Sequence, residues 1–207
     1  MVVERRTQAE RRALSERRLL EAAEQLIADK GSSRTTLAEI GERAGYSRGL
    51  ANQRFGSKRD LVGRLTRRIQ KRVLDETLVP ALDGETGLGA LLAAVDAYVA
   101  ALDRAGETGR AFYVLMGESI GPVPEIRETF AKANREFRAY VEREIKQGIE
   151  AGDIRPDLDV AAQTGLVVGA LRGIALQWLV DPDGVDLVAL RHELHQSLER
   201  TLRASPA

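Results

Sequence analysis

Residues 36–58, TLAEIGERAGYSRGLANQRFGSK, constrain this chain more than any other stretch. Thr36 followed three residues later by Glu39 has the form of a capping box, in which each residue satisfies a free amide of the other. Leu37, Ile40 and Ala44 then fall on one face at helical spacing. Gly45 is a helix stop, since glycine takes the left-handed conformation at little cost. Ser47 reads as the cap of a second short helix over residues 47–55, and Gly56-Ser57 ends it, with Ser57 capping the next. Two short helices joined by a tight turn containing glycine form a helix-turn-helix, whose second helix enters the DNA major groove.

The charge distribution agrees with that reading. The formal net charge is zero, but residues 1–72 hold 18 Lys/Arg against 9 Asp/Glu, and residues 73–207 hold 13 against 22. A basic third joined to an acidic remainder fits one module that binds a polyanion and one that avoids it. With no cysteine, disulfides, thiol catalysis and thiolate metal sites are excluded. The N-terminus lacks a signal-peptide core. The most apolar stretch, residues 165–180, is interrupted by Arg172 and Gln177 and is short for a bilayer span. A cytoplasmic protein with no membrane partner is expected.

The remainder reads as all-helical, about nine helices in total. Residues 1–7 form an arm, and a first helix over 8–30 carries Leu19, Ala22, Ala23, Leu26 and Ile27 inward and stops at Gly31. After Ser57 a bridging helix is expected to run to about residue 79, with Leu61, Leu65, Ile69, Val73 and Leu78 as its apolar stripe and Pro80 as its stop. Further helices are expected at 86–104, 110–120, 125–151, 160–180 and 186–203, with residues 106–109 breaking the first of these from the second. The helix at 160–180 is apolar nearly all round, so burial on more than one side is expected. The domain boundaries follow the motif: 1–56 for DNA, 57–207 for ligand and partner.

Several residues carry candidate chemistry. Ser47 and the first amides of the recognition helix can hold a phosphate, Thr36 can do so one helix earlier, and Lys58 and Arg34 can add direct contacts. Arg48 can read guanine with a two-bond fork, and Asn52 or Gln53 can read adenine. Gly49 leaves room for close approach to DNA, and Arg54 fits a phosphate better than a base. Tyr46 is open between packing and a backbone contact, and Leu50 between core and a thymine methyl. In the larger part, Tyr98, Phe112, Tyr113, Met116 and Trp178 can line a pocket for an apolar ligand, although ordinary core is the first reading for any one of them. Arg172, inside an apolar helix, needs a partner: an acidic ligand, or an internal acid such as Glu118, or a group across an interface. Gly165, Gly169 and Gly173 lie at spacing four on the same helix, which calls for another helix at close range, internal or from a second subunit. His192 and His195 do not make a zinc motif and no third ligand is evident, so no metal is expected. No cofactor is expected either: Gly87-x-Gly89 has no strand before it and no third glycine.

Over residues 19–65 the chain resembles the TetR family of transcriptional regulators, in its leucine/alanine-rich first helix, TTLAEIGERAGYSRG, Phe55, Ser57-Lys58 and Leu61. The stretch GDIRPDLDVAAQTGLVVGAL is similar to the penultimate connection and helix of that family. The resemblance implies a three-helix DNA-binding domain, a helical ligand-binding domain and a homodimer built mainly from the last two helices. It thereby favours Gly165, Gly169 and Gly173, with Leu187, Leu190, Leu194 and Leu198, as the dimer interface. Asn52 departs from the family, which usually has tyrosine three residues before this phenylalanine, so that tyrosine's backbone contact does not carry over. The expected function is a ligand-responsive dimeric repressor on an inverted-repeat operator in double-stranded DNA. An activator of the same fold would share the pattern. A helical enzyme on a small apolar substrate has no metal constellation, Cys or phosphate loop behind it, and a membrane-binding basic surface lacks aromatic anchors.

Overall fold

The computed structural model describes residues 7–73 and 84–204. Residues 74–83, where the bridging helix was expected to end with Leu78 and Pro80, lie outside the described residues, as do the arm residues Arg5 and Arg6. Every named element among the described residues is helical: α1 (Gln8–Lys30), α2 (Leu37–Arg43), α3 (Leu50–Phe55), α4 (Lys58–Val73), α5 (Gly87–Ile120), a 3-10 turn (Pro124–Ile126), α6 (Arg127–Ala151), α7 (Val160–Val180) and α8 (Leu187–Leu202).

Local chemistry sets most of these ends. Thr7 and Glu10 form a capping box ahead of α1, and Gly31, at φ 80°, closes it. Asp159 caps α7 and Asp186 caps α8 through side-chain oxygens that accept amide hydrogens. Two boundaries differ from the sequence expectation. The break inside α5 is confined to Gly106, at φ 42° and ψ −119°, and the helix resumes at Glu107 rather than Arg110; a single glycine absorbs the turn that four residues were expected to make. The helix expected to start at residue 125 begins at Arg127, because Pro124 starts a 3-10 turn first.

The described chain packs into two compact units. The first comprises residues up to Ile69 together with Glu107–Phe130. Its core is one cluster in which Leu19, Ala23, Ile27, Ile40, Ala51, Phe55, Leu61 and Leu65 pack with Ala111, Leu115, Ile126 and Phe130. The second half of α5 is therefore part of the core that carries the helix-turn-helix. Ion pairs join α1 to α4, between Arg64 and Glu16 at 2.9 Å and between Arg68 and Glu21 at 3.0 Å. Part of the basic excess thus holds the unit itself together.

The second unit takes residues 70–106 and 131–207, within the described range. Leu91, Val95 and Leu102 of α5, Val141 and Ile145 of α6, Leu171 of α7, and Leu198 and Leu202 of α8 are buried there. The end of α8 is pinned: the Arg155 amide donates to the Leu202 carbonyl at 2.8 Å and the Ala204 amide to the Asp153 carbonyl at 3.1 Å. Asp153 also accepts from the Leu88 amide, at the start of α5. At 21 residues α7 is long and apolar enough to cross a membrane by length and composition, longer than the stretch judged from sequence. Within the single chain one side of it is left open. Leu166 is 65% exposed, Leu176 54% and Val180 78%.

Candidate nucleic-acid interface

The motif at 36–58 is built from its hydrogen bonds outward. The Glu39 amide donates to Thr36 Oγ1 at 3.2 Å, and Glu39 Oε2 accepts the Thr36 amide at 2.9 Å, completing the expected box. At the other end of α2 the Tyr46 amide donates to the Gly41 carbonyl and the Gly45 amide to the Glu42 carbonyl. This is a Schellman closure, with Gly45 at φ 78° supplying the left-handed residue. The turn then passes so close to α2 that a Cβ on Gly41 would sit 2.6 Å from the Ser47 carbonyl oxygen. The angle between the two helices is fixed by the missing side chain.

The recognition helix starts later than its sequence predicts. Ser47 does not cap it; α3 begins at Leu50 with Gly49 at the cap position and no side-chain cap hydrogen bond. The Leu50 amide instead donates to the Ser47 carbonyl, so Ser47 and Arg48 belong to the turn. A phosphate contact by the exposed Ser47 would therefore come from the turn and not from a helix cap. Ser57 does cap α4, accepting the Asp60 amide at 3.1 Å.

Ala51 and Phe55 bury one side of α3, and Asn52, Gln53 and Gly49 are exposed on the other. Nothing lies within 4 Å of a Cβ placed on Gly49. Leu50 and Tyr46 are half-buried and pack against the core, which supports the packing alternative for each. Arg54 is half-buried, and its Nε is a buried donor that no acceptor meets. Arg48 is exposed and paired with Glu42, a contact that sequence reading missed although the two are six residues apart across the turn. An exposed pair of this kind contributes about 0–1 kcal/mol, less than the ~1–3 kcal/mol of a fork on guanine, so Arg48 can exchange partners.

Around this face, Lys58 Nζ donates to the Ser33 carbonyl at 3.1 Å and Arg34 Nε to the Lys30 carbonyl at 2.8 Å. Glu39 is the one titratable group here with a strongly displaced pKa. The Lys30 ammonium at 2.7 Å, helped by the Thr36 amide and hydroxyl, holds it at about 2 against an ordinary 4.5. A carboxyl lowered in this way adds stability above its unfolded value and loses it as pH falls through the folded one. Glu39→Gln should therefore be less stable than wild type at neutral pH, and the two should converge as pH falls from about 4.5 to about 2. Thermal unfolding followed by circular dichroism across that range checks it.

The other candidates fall in different places. Phe112, Tyr113 and Met116 belong to the first unit, where the Phe112 ring meets Tyr113 edge-on at 5.5 Å and Phe130 at 5.4 Å. In the second unit Tyr98 stacks on Phe137 at 6.1 Å, and the Arg172 guanidinium lies over the same Phe137 ring at 5.5 Å. Arg172 Nη2 also reaches Asn134 Oδ1 at 3.5 Å. Glu118 is not its internal acid, because that carboxylate is bound to Ser32 in the first unit. Trp178 is half-buried on α7. His195 Nε2 lies 3.1 Å from Asp96 Oδ1, and His192 pairs with Gln196. For Gly165, Gly169 and Gly173, an added Cβ would meet nothing within 4 Å, so no helix among the described residues explains the stripe. Leu198 is buried within the protomer and is not part of an open face.

A tight Schellman turn, a short helix anchored by two buried residues, and an outward face of Arg, Asn and Gln define a helix-turn-helix DNA-binding protein. Comparison with known proteins makes the assignment specific. Residues 19–65 match the model of bacterial regulatory proteins of the tetR family, and residues 88–203 match the BetI-type transcriptional repressor C-terminal model. The chain belongs to the TetR family and is a DNA-binding transcriptional regulator. It is 26% identical over 194 residues to the HTH-type transcriptional regulator TtgR of Pseudomonas putida, covering 91% of each chain. Its fold matches a TetR transcriptional regulator from Chloroflexus aurantiacus, with a TM-score of 0.82, 19% identity, and coverage of 94% of this chain and 99% of that one. It also matches the regulator FadR from Bacillus subtilis in complex with stearoyl-CoA, with a TM-score of 0.77, 18% identity, and coverage of 88% and 96%.

Proposed function

We propose that this regulator is a homodimeric repressor that leaves an inverted-repeat operator when a small, mostly apolar effector binds its C-terminal part. The observation that carries the DNA half is the exposed set of Arg48 and Gly49 in the turn with Asn52 and Gln53 on α3, a helix whose opposite side is locked in the core. Arg48 reads guanine, Asn52 or Gln53 reads adenine, and Arg34, Thr36, Arg54 and Lys58 take phosphates. Residues 1–56 serve DNA and 57–207 serve effector and partner, with Glu107–Phe130 of the second part packed in the same unit as the first. The repressor sign is supported by the description of the C-terminal model. The cytoplasm is where such a protein meets its operator.

The dimer reading rests on α7 and α8. Three glycines on one open helix face cost about 1 kcal/mol each relative to alanine, which is sensible only where a second helix comes close. Leu166, Leu176, Val180 and Val188 are the exposed large apolar residues of these two helices, and Leu187, Leu190 and Leu194 are half-buried beside them. The two recognition helices of such a dimer must span about 34–36 Å to fit successive major grooves. For the effector, the second unit offers Tyr98, Arg172 and Trp178 with the Phe137 ring. An effector that stabilises a different separation of the recognition helices releases DNA.

The test is base-specific. Arg48→Ala and Asn52→Ala should each weaken operator binding by about 5- to 150-fold, the equivalent of ~1–3 kcal/mol, and relax preference at one position of each half-site. Equal loss on operator and mixed-sequence DNA would assign both residues to the backbone instead.

A further inference from the structure

The loop between α1 and α2 is held from an unexpected distance in sequence. Glu118, near the C-terminal end of α5, places its carboxylate on the buried Ser32. The Ser32 amide donates to Glu118 Oε1 at 3.0 Å and to Oε2 at 3.1 Å, and the Ser32 hydroxyl donates to Oε2 at 2.5 Å. The Ser33 amide adds a longer contact at 3.4 Å. The backbone is shaped for this. A Cβ on Gly31, itself at φ 80°, would sit 2.8 Å from Glu118 Oε1, so the glycine leaves room for the carboxylate. Hydrogen bonds to a charged acceptor are roughly twice as strong as neutral ones, which makes this the firmest grip on the loop.

That loop carries DNA-facing groups at its other edge. The carbonyl of Ser33, the residue after the clamped Ser32, accepts Lys58 Nζ at 3.1 Å. Arg34 follows, then Thr36 at the start of the helix-turn-helix. Glu118 lies within the residues matched by the C-terminal family model, 88–203, yet its partners lie within the N-terminal model, 19–65. One carboxylate therefore ties a residue of the effector-side sequence to the loop that orients phosphate-binding groups.

We propose that Glu118 is a positioning residue for DNA binding: its carboxylate sets the backbone of Ser32 and Ser33, and through the Ser33 carbonyl it aims Lys58 at the phosphate backbone. The second half of α5 thereby controls DNA affinity, since any shift of Glu107–Ile120 that withdraws the carboxylate frees the loop. The proposal rests on the reading of Lys58 as a phosphate contact, and the test separates the two.

Phosphate contacts need no sequence, so a mixed-sequence DNA duplex is a sufficient probe. Glu118→Gln keeps the size of the side chain but turns an NH2 group toward the Ser32 donors. It also makes the protein one unit more positive, and that change alone would tighten DNA binding. The proposal requires the opposite sign: about five- to tenfold weaker binding, and a log–log salt slope smaller by about one, as for Lys58→Ala. The double variant should be no weaker than the weaker single one.

Wild-type or tighter binding by Glu118→Gln, with Lys58→Ala weakened, would overturn the clamp and leave the phosphate reading standing. Losses that simply multiply in the double variant would reduce Glu118 to general stability and would also overturn it. An unchanged salt slope in Lys58→Ala would remove the phosphate contact and the clamp with it. Ser32→Ala, which deletes only the hydroxyl donor, guards against a Glu118 variant that does not fold. It should shift binding in the same direction by a smaller factor, and wild-type binding by a folded Ser32→Ala would count against the proposal.

Discussion

Gly41→Ala should cost the protein its operator binding, by about 100-fold or more, and about 3 kcal/mol of stability in the first unit. The added methyl would stand 2.6 Å from the Ser47 carbonyl oxygen, 3.4 Å from the Ser47 carbonyl carbon and 3.5 Å from the Arg48 Cα. These are backbone atoms inside a turn already tied by the Tyr46–Gly41 and Leu50–Ser47 hydrogen bonds, so they cannot swing away as a side chain would. The turn must open, and α3 moves with it. Gly49→Ala is the control. Gly49 has an ordinary φ of −83° and nothing within 4 Å of its Cβ position, so stability should hold. Operator affinity should still fall, because that space is proposed for DNA. Urea unfolding and operator titration of both variants separate the two effects, and a stable, fully binding Gly41→Ala would show that the close approach does not matter.

Gly87→Ala should destabilise the second unit by about 2–4 kcal/mol. Gly87 starts α5 at φ 62°, a left-handed conformation that costs a non-glycine residue roughly 1–2 kcal/mol. Its Cβ would also lie 2.8 Å from the Gly148 Cα and 2.8 Å from Asp153 Oδ2, and crowding of that kind costs about 1–3 kcal/mol. The clash falls where Asp153 receives the Leu88 amide and where the Ala204 amide meets the Asp153 carbonyl. Both connections therefore loosen together. Unfolding by urea should show the midpoint falling with little change in slope. A variant as stable as wild type would mean that α5 can start elsewhere without penalty.

Much of the fold was legible because its signals are local. Thr36 with Glu39, Gly45 and Ser57 act within four residues of themselves, and each marks a helix end that the structure confirms. Ser47 misled for a related reason. Serine is a good cap, but the turn uses the Ser47 carbonyl, and α3 starts at Leu50 with Gly49 at its cap position and no side-chain cap. The pairing of Arg48 with Glu42, and the clamp of Glu118 on Ser32 across 86 positions, could not be read from spacing. They depend on tertiary approach, to which only the adjacent Gly41 and Gly31 give a clue. The placement of Phe112, Tyr113 and Met116 in the N-terminal core has the same origin. Their part of α5, from Glu107 on, is in the C-terminal half of the sequence but packs with the first unit. The glycine stripe on α7 could be found in sequence, but only the structure shows that no described residue fills the space beside each glycine.

Selection of binding sites from random duplex DNA, followed by a salt titration of the winner, bears most directly on the central claim. A palindromic site, its half-sites one helical turn apart, with affinity falling steeply as salt rises, is the predicted result, and base preferences should relax at one position per half-site in Arg48→Ala. Enrichment of a single unrepeated half-site, or of no sequence at all, would contradict a dimeric reader that uses Arg48 and Asn52.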